Sequence, residues 1–302
     1  MCGHPESMMK RSMLVALCAI VGCGDPGSQA PAAPDASAPT GGDAAVAACE
    51  APDVLVLLDR TVSMAERPDG TFPPNTDAGH TETKWYMAIQ AVESLSRELE
   101  TTVGFGLALF PRAPAEGTCI TLAQRLTGQK AQNPQCEAGE VLVAPAVTAA
   151  SAIDTMLDPE TTRLCTSTPI GAGLATARTE LAARRVATRP QYVLFVGDGA
   201  DTCDSPLALS NTDALAREGV KTFVVAFDDG APAGLDRGLL NDMACAGQAS
   251  PGFPDGCVAN ATGGYRAIDR SGPDLFLSAS NATQLSAALA QIAESVCCGC
   301  IL

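Results

Sequence analysis

The sequence predicts an α/β fold with a doubly wound, mostly parallel central sheet and helices on both faces. Three observations predict it. From residue 50 onward, short apolar runs alternate with helical patterns, which is the order of a wound sheet. The runs Asp53–Leu58 and Tyr192–Val196 are apolar without alternation, as central parallel strands covered on both faces require. Hydrophobic residues make up 46% of the 302 but aromatic ones only 4%, so the core must be built from Ala, Val, Leu and Ile.

Taken in order, Asp53–Leu58 is the first strand. Lys84–Leu99 follows as a helix, because Ala88, Val92, Leu95 and Leu99 fall on one face. Thr102–Phe110 is strand-like. Residues 111–140 are irregular and hold Cys119 and Cys136, which marks them as a stapled excursion. Val141–Val147 reads as a short strand, with a helix through Met156 behind it. Thr168-Pro169 opens another helix, with Thr as its N-cap and Pro in its first turn, running to about Arg184. After the strand Tyr192–Val196, a helix over Asp213–Glu218 stops at Gly219. Val220–Phe227 is a strand and Gly264–Ile268 an edge strand. The last helix begins at Asn281, with Gln284 placed to complete a capping box. Leu285, Leu289, Ile292 and Val296 form its apolar face, and Cys297 stands at its end. No internal repeat is present.

The N-terminus has the pattern of an export signal over residues 1–22. Lys10 and Arg11 precede an apolar run, Met13–Val21, too short to span a bilayer. It ends in Ile20-Val21-Gly22-Cys23, which resembles the lipobox of bacterial lipoproteins. That resemblance implies cleavage before Cys23, lipid on Cys23 and anchorage in the cell envelope. Met1–Ser7 does not fit a signal, and initiation at Met8 or Met9 would remove it. Residues 23–48 are rich in Pro, Ala, Ser and Gly without apolar periodicity, as in a flexible tether. The folded domain is then expected over 49–302.

The formal net charge is −15, which argues against nucleic acid or anionic lipid head groups as partners through charge alone. Thirteen cysteines are present. With Cys2, Cys18 and Cys23 set aside, the remainder is an even set, which in an exported chain reads as disulfides. Cys298-Gly-Cys300 reads either as a C-terminal staple or as a metal or redox site.

Three loops carry candidate chemistry. Asp59, Thr61 and Ser63 form an Asp-x-Thr-x-Ser element directly after the first strand. Thr168 stands at a helix start and Asp198 follows the strand Tyr192–Val196, within Gly197-Asp198-Gly199. In a doubly wound sheet, ligands sit at the carboxyl ends of the strands, where all three fall. Five such oxygens suit one hard divalent cation. Singly, each has a structural alternative: Asp59 as a turn cap, Thr168 as an N-cap, Asp198-Gly199 as a turn. Asp201 and Asp204 read as solvated loop acids that add to the rim charge.

This arrangement resembles a von Willebrand factor type A domain over roughly residues 50–296, with 111–140 as an insertion. In that family a metal-ion-dependent adhesion site is built from Asp-x-Ser-x-Ser, a Thr and an Asp on three loops. Asp59, Thr61 and Ser63 match the first, with Thr in place of the first Ser; Thr168 matches the second and Asp198 the third. Thr83-Lys84-Trp85 and Gly263-Gly264-Tyr265 also look like bacterial members. The resemblance implies Mg²⁺ (or Mn²⁺ or Ca²⁺) held by these five residues, a position left for a carboxylate from a protein ligand, and no catalysis.

Two other readings stay open. An apolar run ending in Asp-x-Thr-Val, with Gly-Asp-Gly-x-x-Asp later, also resembles phosphatases of haloacid-dehalogenase type. There Asp59 would be the nucleophile, Thr168 would bind phosphate, and Asp198 with Asp201 or Asp204 would hold Mg²⁺. That family places a Lys or Arg shortly before the Gly-Asp motif, where this chain has only Arg184, Arg185 and Arg189 near a helix end. The third reading is the same fold acting as a metal-independent scaffold. His4 lies in the signal and His80 in the polar segment 65–82, an expected exposed loop, so no Ser-His-Asp arrangement is supported. No Walker loop or dinucleotide glycine signature occurs. The fold places Cys165 and Cys203 on the rim, where a mutual bond would staple two loops. Cys119–Cys136 would close the excursion, Cys245–Cys257 the loop before the last strand, and Cys49 would meet the C-terminal cysteines.

Overall fold

The structure, a computed structural model, describes residues 50–113, 118–132, 136–228 and 235–298. The signal, Cys23, the tether and Cys49 lie outside these residues.

Six strands form the main sheet: β1 (Asp53–Asp59), β2 (Gly104–Phe110), β3 (Glu140–Ala146), β4 (Gln191–Gly197), β5 (Val220–Phe227) and β8 (Leu277–Ala279). Their order is β3-β2-β1-β4-β5-β8, with β3 antiparallel and all other neighbours parallel. The order reverses beside β1, so the loops after β1 and β4 border the switch-point crevice of a doubly wound sheet.

The helices are α1 (Asp77–His80), α2 (Lys84–Glu98), α3 (Leu122–Leu126), α4 (Ala150–Met156), α5 (Ile170–Ala183), α6 (Ser205–Arg217), α7 (Arg237–Gly247) and α8 (Ala282–Cys298). Val54, Val56 and Leu58 of β1 point into one core layer with Trp85, Ile89 and Val92 of α2 and Leu285, Leu289 and Ile292 of α8. Leu55 and Leu57 point into the other, with Leu174 and Leu181 of α5, Leu215 of α6 and Met243 of α7. Successive residues of one strand thus serve opposite faces, which is why the run is apolar throughout. No described helix is long and apolar enough to cross a membrane.

Several expectations need correction. Tyr265–Ala267 (β7) is not an edge of the main sheet; it pairs antiparallel with Cys257–Ala259 (β6) in a separate hairpin, and the edge is β8. The helix expected over Asp213–Glu218 begins at Ser205, capped by Asp204, whose side chain accepts from Leu207 N at 3.1 Å. Helix α7 was not legible at all. Its buried Asn241 and Asp242 interrupt the apolar pattern, and tertiary partners satisfy them: Asn241 Oδ1 accepts from Leu275 N at 2.7 Å and Asp242 Oδ1 from Ala267 N at 3.0 Å. His80 is buried rather than exposed, with Nδ1 2.8 Å from Glu160 Oε1 and Nε2 2.8 Å from Asn75 Oδ1. Asn281 Oδ1 does cap α8 through Gln284 N, but the Gln284 side chain accepts from Ser280 N, one residue earlier than the capping box requires.

Candidate metal centre

The site is assembled by three loops at the carboxyl end of the sheet. Asp59 is the last residue of β1 and has no exposed surface. Its Oδ1 accepts from Thr61 N at 2.7 Å, which turns the chain sharply and sends Thr61 and Ser63 back over the strand end. The Thr61 and Ser63 hydroxyl oxygens are 2.8 Å apart. Ser63 Oγ donates to Asp198 Oδ1 at 2.9 Å, joining the first loop to the third. Asp59 Oδ2 is buried without a hydrogen-bond partner.

Gly197, the last residue of β4, brings the third loop close: a Cβ there would lie 2.8 Å from the Phe195 ring and 3.4 Å from Asp59 Oδ2. The second loop is held by backbone bonds. Cys165 N donates to Arg60 O and Val62 N to Cys165 O, each at 2.9 Å. Thr168 N donates to Thr202 Oγ1 at 2.7 Å, and Thr202 N returns a bond to Thr168 O at 3.2 Å. Thr168 does not cap α5 as expected: Pro169 is the N-cap and no side chain caps the helix. Thr168 therefore precedes the helix and lines the site.

A cleft of about 490 Å³ opens here, lined among others by Ser63, Glu66, Lys84, Thr168, Asp198 and Thr202. The structure thus joins Asp59, Thr61, Ser63 and Asp198 in one hydrogen-bonded run, with Thr168 on the adjoining wall. Asp201 and Asp204 are not free loop acids. Asp201 Oδ1 accepts from Cys203 N and Asp204 N, each at 2.7 Å, its Oδ2 from Gly171 N at 3.0 Å, and Asp204 caps α6.

The electrostatics follow from two carboxylates gathered out of water. Burial, then the neighbouring Asp198 charge, push the Asp59 carboxyl up to about 8. Burial likewise raises Glu66. Cations answer them: Arg125 acts on Glu66, and Lys84 on both Glu66 and Asp59. Lys84, at the start of α2, pairs with Asp198 Oδ2 and lies 3.8 Å from Glu66 Oε2. Lys84, Glu66 and Thr202 were not read from the sequence as members of the site. Lys84 left a signal: a lysine in a first helical turn opposes the positive end of the helix dipole and needs a compensating partner. Thr202 left none.

The disulfides differ from expectation. Cys165 and Cys203 both flank the site but do not bond to each other, and Cys119–Cys136 does not form. Cys119 bonds Cys165 and Cys136 bonds Cys203, so the excursion is stapled to the second and third loops rather than to itself. Cys245–Cys257 forms as expected.

The chain thus folds as an open, doubly wound α/β domain with an oxygen-rich crevice at its strand ends. Among solved structures it is similar to proximal thread matrix protein 1 from the mussel byssus with a zinc-occupied MIDAS motif, at 14% identity and TM-score 0.49, over 82% of this chain and 49% of that one. It is similar to a von Willebrand factor type A protein from Catenulispora acidiphila, at 10% identity and TM-score 0.49, over 82% of this chain and 43% of that one. It is also similar to the manganese-loaded TRAP protein of Plasmodium vivax, at 16% identity and TM-score 0.43, over 69% and 67%. The chain spans about half the length of the first two. At these scores the likeness carries no weight of its own, and the fold class rests on the strand order and register above. No family model and no curated protein matches the chain.

Proposed function

We propose that this chain is an exported, envelope-anchored domain of von Willebrand factor A type that binds a protein ligand through a divalent cation. Asp59, Thr61, Ser63, Thr168 and Asp198 would hold the ion, Mg²⁺ or else Mn²⁺ or Ca²⁺, and lipid on Cys23 would hold the chain to the membrane. The observation that carries the reading is the run Asp59–Thr61–Ser63–Asp198, which crosses between loops and leaves Asp59 Oδ2 buried and unpartnered. An orphaned buried carboxylate oxygen costs free energy that a cation would recover.

The donor set fits a hard cation: two carboxylates and three hydroxyls, with no sulfur or imidazole. Thr61, Ser63 and Thr168 offer neutral oxygens, so two carboxylates alone bring charge. When bound, the ion would supply a Lewis-acid centre for a ligand carboxylate. The backbone bonds between loops preorganise the oxygens and limit the entropy lost on binding.

The phosphatase reading has one observation in its favour: Lys84 provides the cation beside the carboxylates that the sequence lacked at the expected place. Against it, Asp59 is wholly buried and is not among the residues lining the cleft, a placement that suits an inner partner of an ion better than a nucleophile open to a phosphate ester. We therefore assign Asp59 to the ion and no catalysis to the chain.

Titration calorimetry of the oxidised protein with Mg²⁺ and Mn²⁺, beside Asp59→Ala and Asp198→Ala, tests the reading. One-site binding lost in both variants, with unchanged circular dichroism, is the expected result. A folded wild type that binds neither ion overturns it in favour of a metal-independent scaffold. Hydrolysis of an aryl phosphate ester that disappears in Asp59→Asn overturns it in favour of the phosphatase.

A further inference from the structure

Lys84 is placed against every local preference. It stands in the first turn of α2, directly after the capping Thr83, where the helix presents its positive end. It is 5% exposed, and a buried ammonium persists only when paired. Its partners are the carboxylates of the site: Asp198 Oδ2 in direct contact and Glu66 Oε2 at 3.8 Å. A backbone bond from Lys84 N to Glu66 O, 2.9 Å, ties the lysine to the segment that carries Glu66. Lys84 and Asp198 both line the cleft, and their side chains keep 7% and 0% of their surface exposed. An ion arriving through the cleft therefore meets Asp198 already paired with an ammonium.

We propose that Lys84 is a resident counter-cation of the Asp59–Asp198 cluster and that a divalent ion binds in competition with its ammonium, which passes from Asp198 to Glu66 as the ion enters. The inference rests on the divalent-ion reading of the site. Without the ion, the buried Asp198 carboxylate needs a counter-charge in a dry crevice; the ammonium supplies it and helps hold the start of α2 to the third loop. With the ion, a unit positive charge on Asp198 opposes binding, and Glu66 is the acceptor within reach that can draw it aside. Lys84 is in this sense a positioning residue that sets how tightly the cluster takes a cation.

The experiment is a double-mutant cycle on the oxidised full chain. Mn²⁺ affinity is measured by calorimetry, and urea stability in chelator, for the wild type, Lys84→Met, Glu66→Gln and the double variant. Lys84→Met is expected to bind Mn²⁺ at least tenfold more tightly, and to unfold at lower urea than the wild type when chelator is present. Glu66→Gln is expected to weaken binding several-fold in the wild-type background and less in the Lys84→Met background, because its role is to receive the ammonium. Equal or weaker affinity in Lys84→Met overturns the competition while leaving the ion site standing. Fully additive effects of the two substitutions overturn the transfer to Glu66. Failure of both the wild type and Lys84→Met to bind removes the ion site and this inference together; binding by Lys84→Met alone supports it. Lys84→Gln serves the same comparison if Lys84→Met does not fold. In the wild type, the ¹⁵N resonance of Lys84 Nζ should shift on Mg²⁺ addition, and an unmoved resonance at saturating Mg²⁺ overturns the proposal without any variant.

Discussion

Ser63 donates its hydroxyl proton to Asp198 Oδ1 at 2.9 Å across 135 residues of chain. The bond joins the loop after β1 to the loop after β4, two neighbouring central strands. It is the point at which two separate sequence elements become one site. Ser63→Ala removes it while leaving the backbone free to keep its path. The expected cost to the metal-free protein is about 1 kcal/mol, the net worth of a typical intramolecular hydrogen bond, read from urea unfolding. Mn²⁺ affinity should fall by more than that stability loss implies, because one oxygen donor disappears as well.

The Asp59 carboxyl is held well above its unfolded value by burial and by the Asp198 charge, to about 8. The folded state therefore binds that proton more tightly than the unfolded chain does. This contribution to stability is complete below about pH 4, the unfolded carboxylate range, and is lost as the pH climbs through the folded value. In chelator, the wild type should unfold at lower urea at about pH 9 than at about pH 5, and Asp59→Asn should flatten the difference. Ion binding requires the same proton to leave, so Mn²⁺ affinity should rise over the same window. Flat profiles in both measurements would count against a buried Asp59 carboxylate.

A peptide map of the non-reduced protein should return Cys119–Cys165, Cys136–Cys203 and Cys245–Cys257. Replacing both Cys136 and Cys203 by Ser opens a closure spanning 67 residues of chain. The expected loss is about 4 kcal/mol on the chain-entropy account, measured by urea unfolding. Ion affinity should drop in parallel, since Cys203 lies in the loop that carries Asp198.

Gly171 sits in the first turn of α5, where α6 crosses it. A Cβ there would lie 2.7 Å from both Ala208 N and Leu207 Cβ and 2.9 Å from Leu207 C. Backbone cannot yield as a flexible side-chain end can. Gly171→Ala should therefore cost about 1–3 kcal/mol of stability, as overpacking does. It should also weaken Mn²⁺ binding, because α5 and α6 begin at the loops of Thr168 and Asp198. Calorimetry beside thermal unfolding checks both. A thermally neutral variant would show that the two helices can part without cost.

Much of this domain is legible in the sequence. Strands β1, β2, β4 and β5 and helix α2 are long enough for periodicity to speak, and their strand ends pointed to Asp59 and Asp198. What escaped notice did so for identifiable reasons. Strand β8 has three residues, too few for a pattern. Helix α7 buries Asn241 and Asp242, which look like surface residues until their partners at Leu275 and Ala267 are known. The first turns of α6 are rich in Ser, Pro and Asn and read as loop until Asp204 is seen to cap them.

By itself the sequence determined the class of the sheet, the succession of its main strands along the chain and the three loops that carry the candidate oxygen side chains. These are local properties: an unbroken apolar run demands cover on both faces, and a polar residue directly after it falls at the strand end. Tertiary structure alone decided which cysteines pair, since spacing cannot choose among connectivities. It alone decided that Thr168 precedes its helix rather than capping it, and that Ser63 reaches Asp198. It alone brought Lys84 and Glu66 to the carboxylates. A charge's partner is set by three-dimensional proximity in a region of low dielectric, and residues far apart in the chain carry no mark of it.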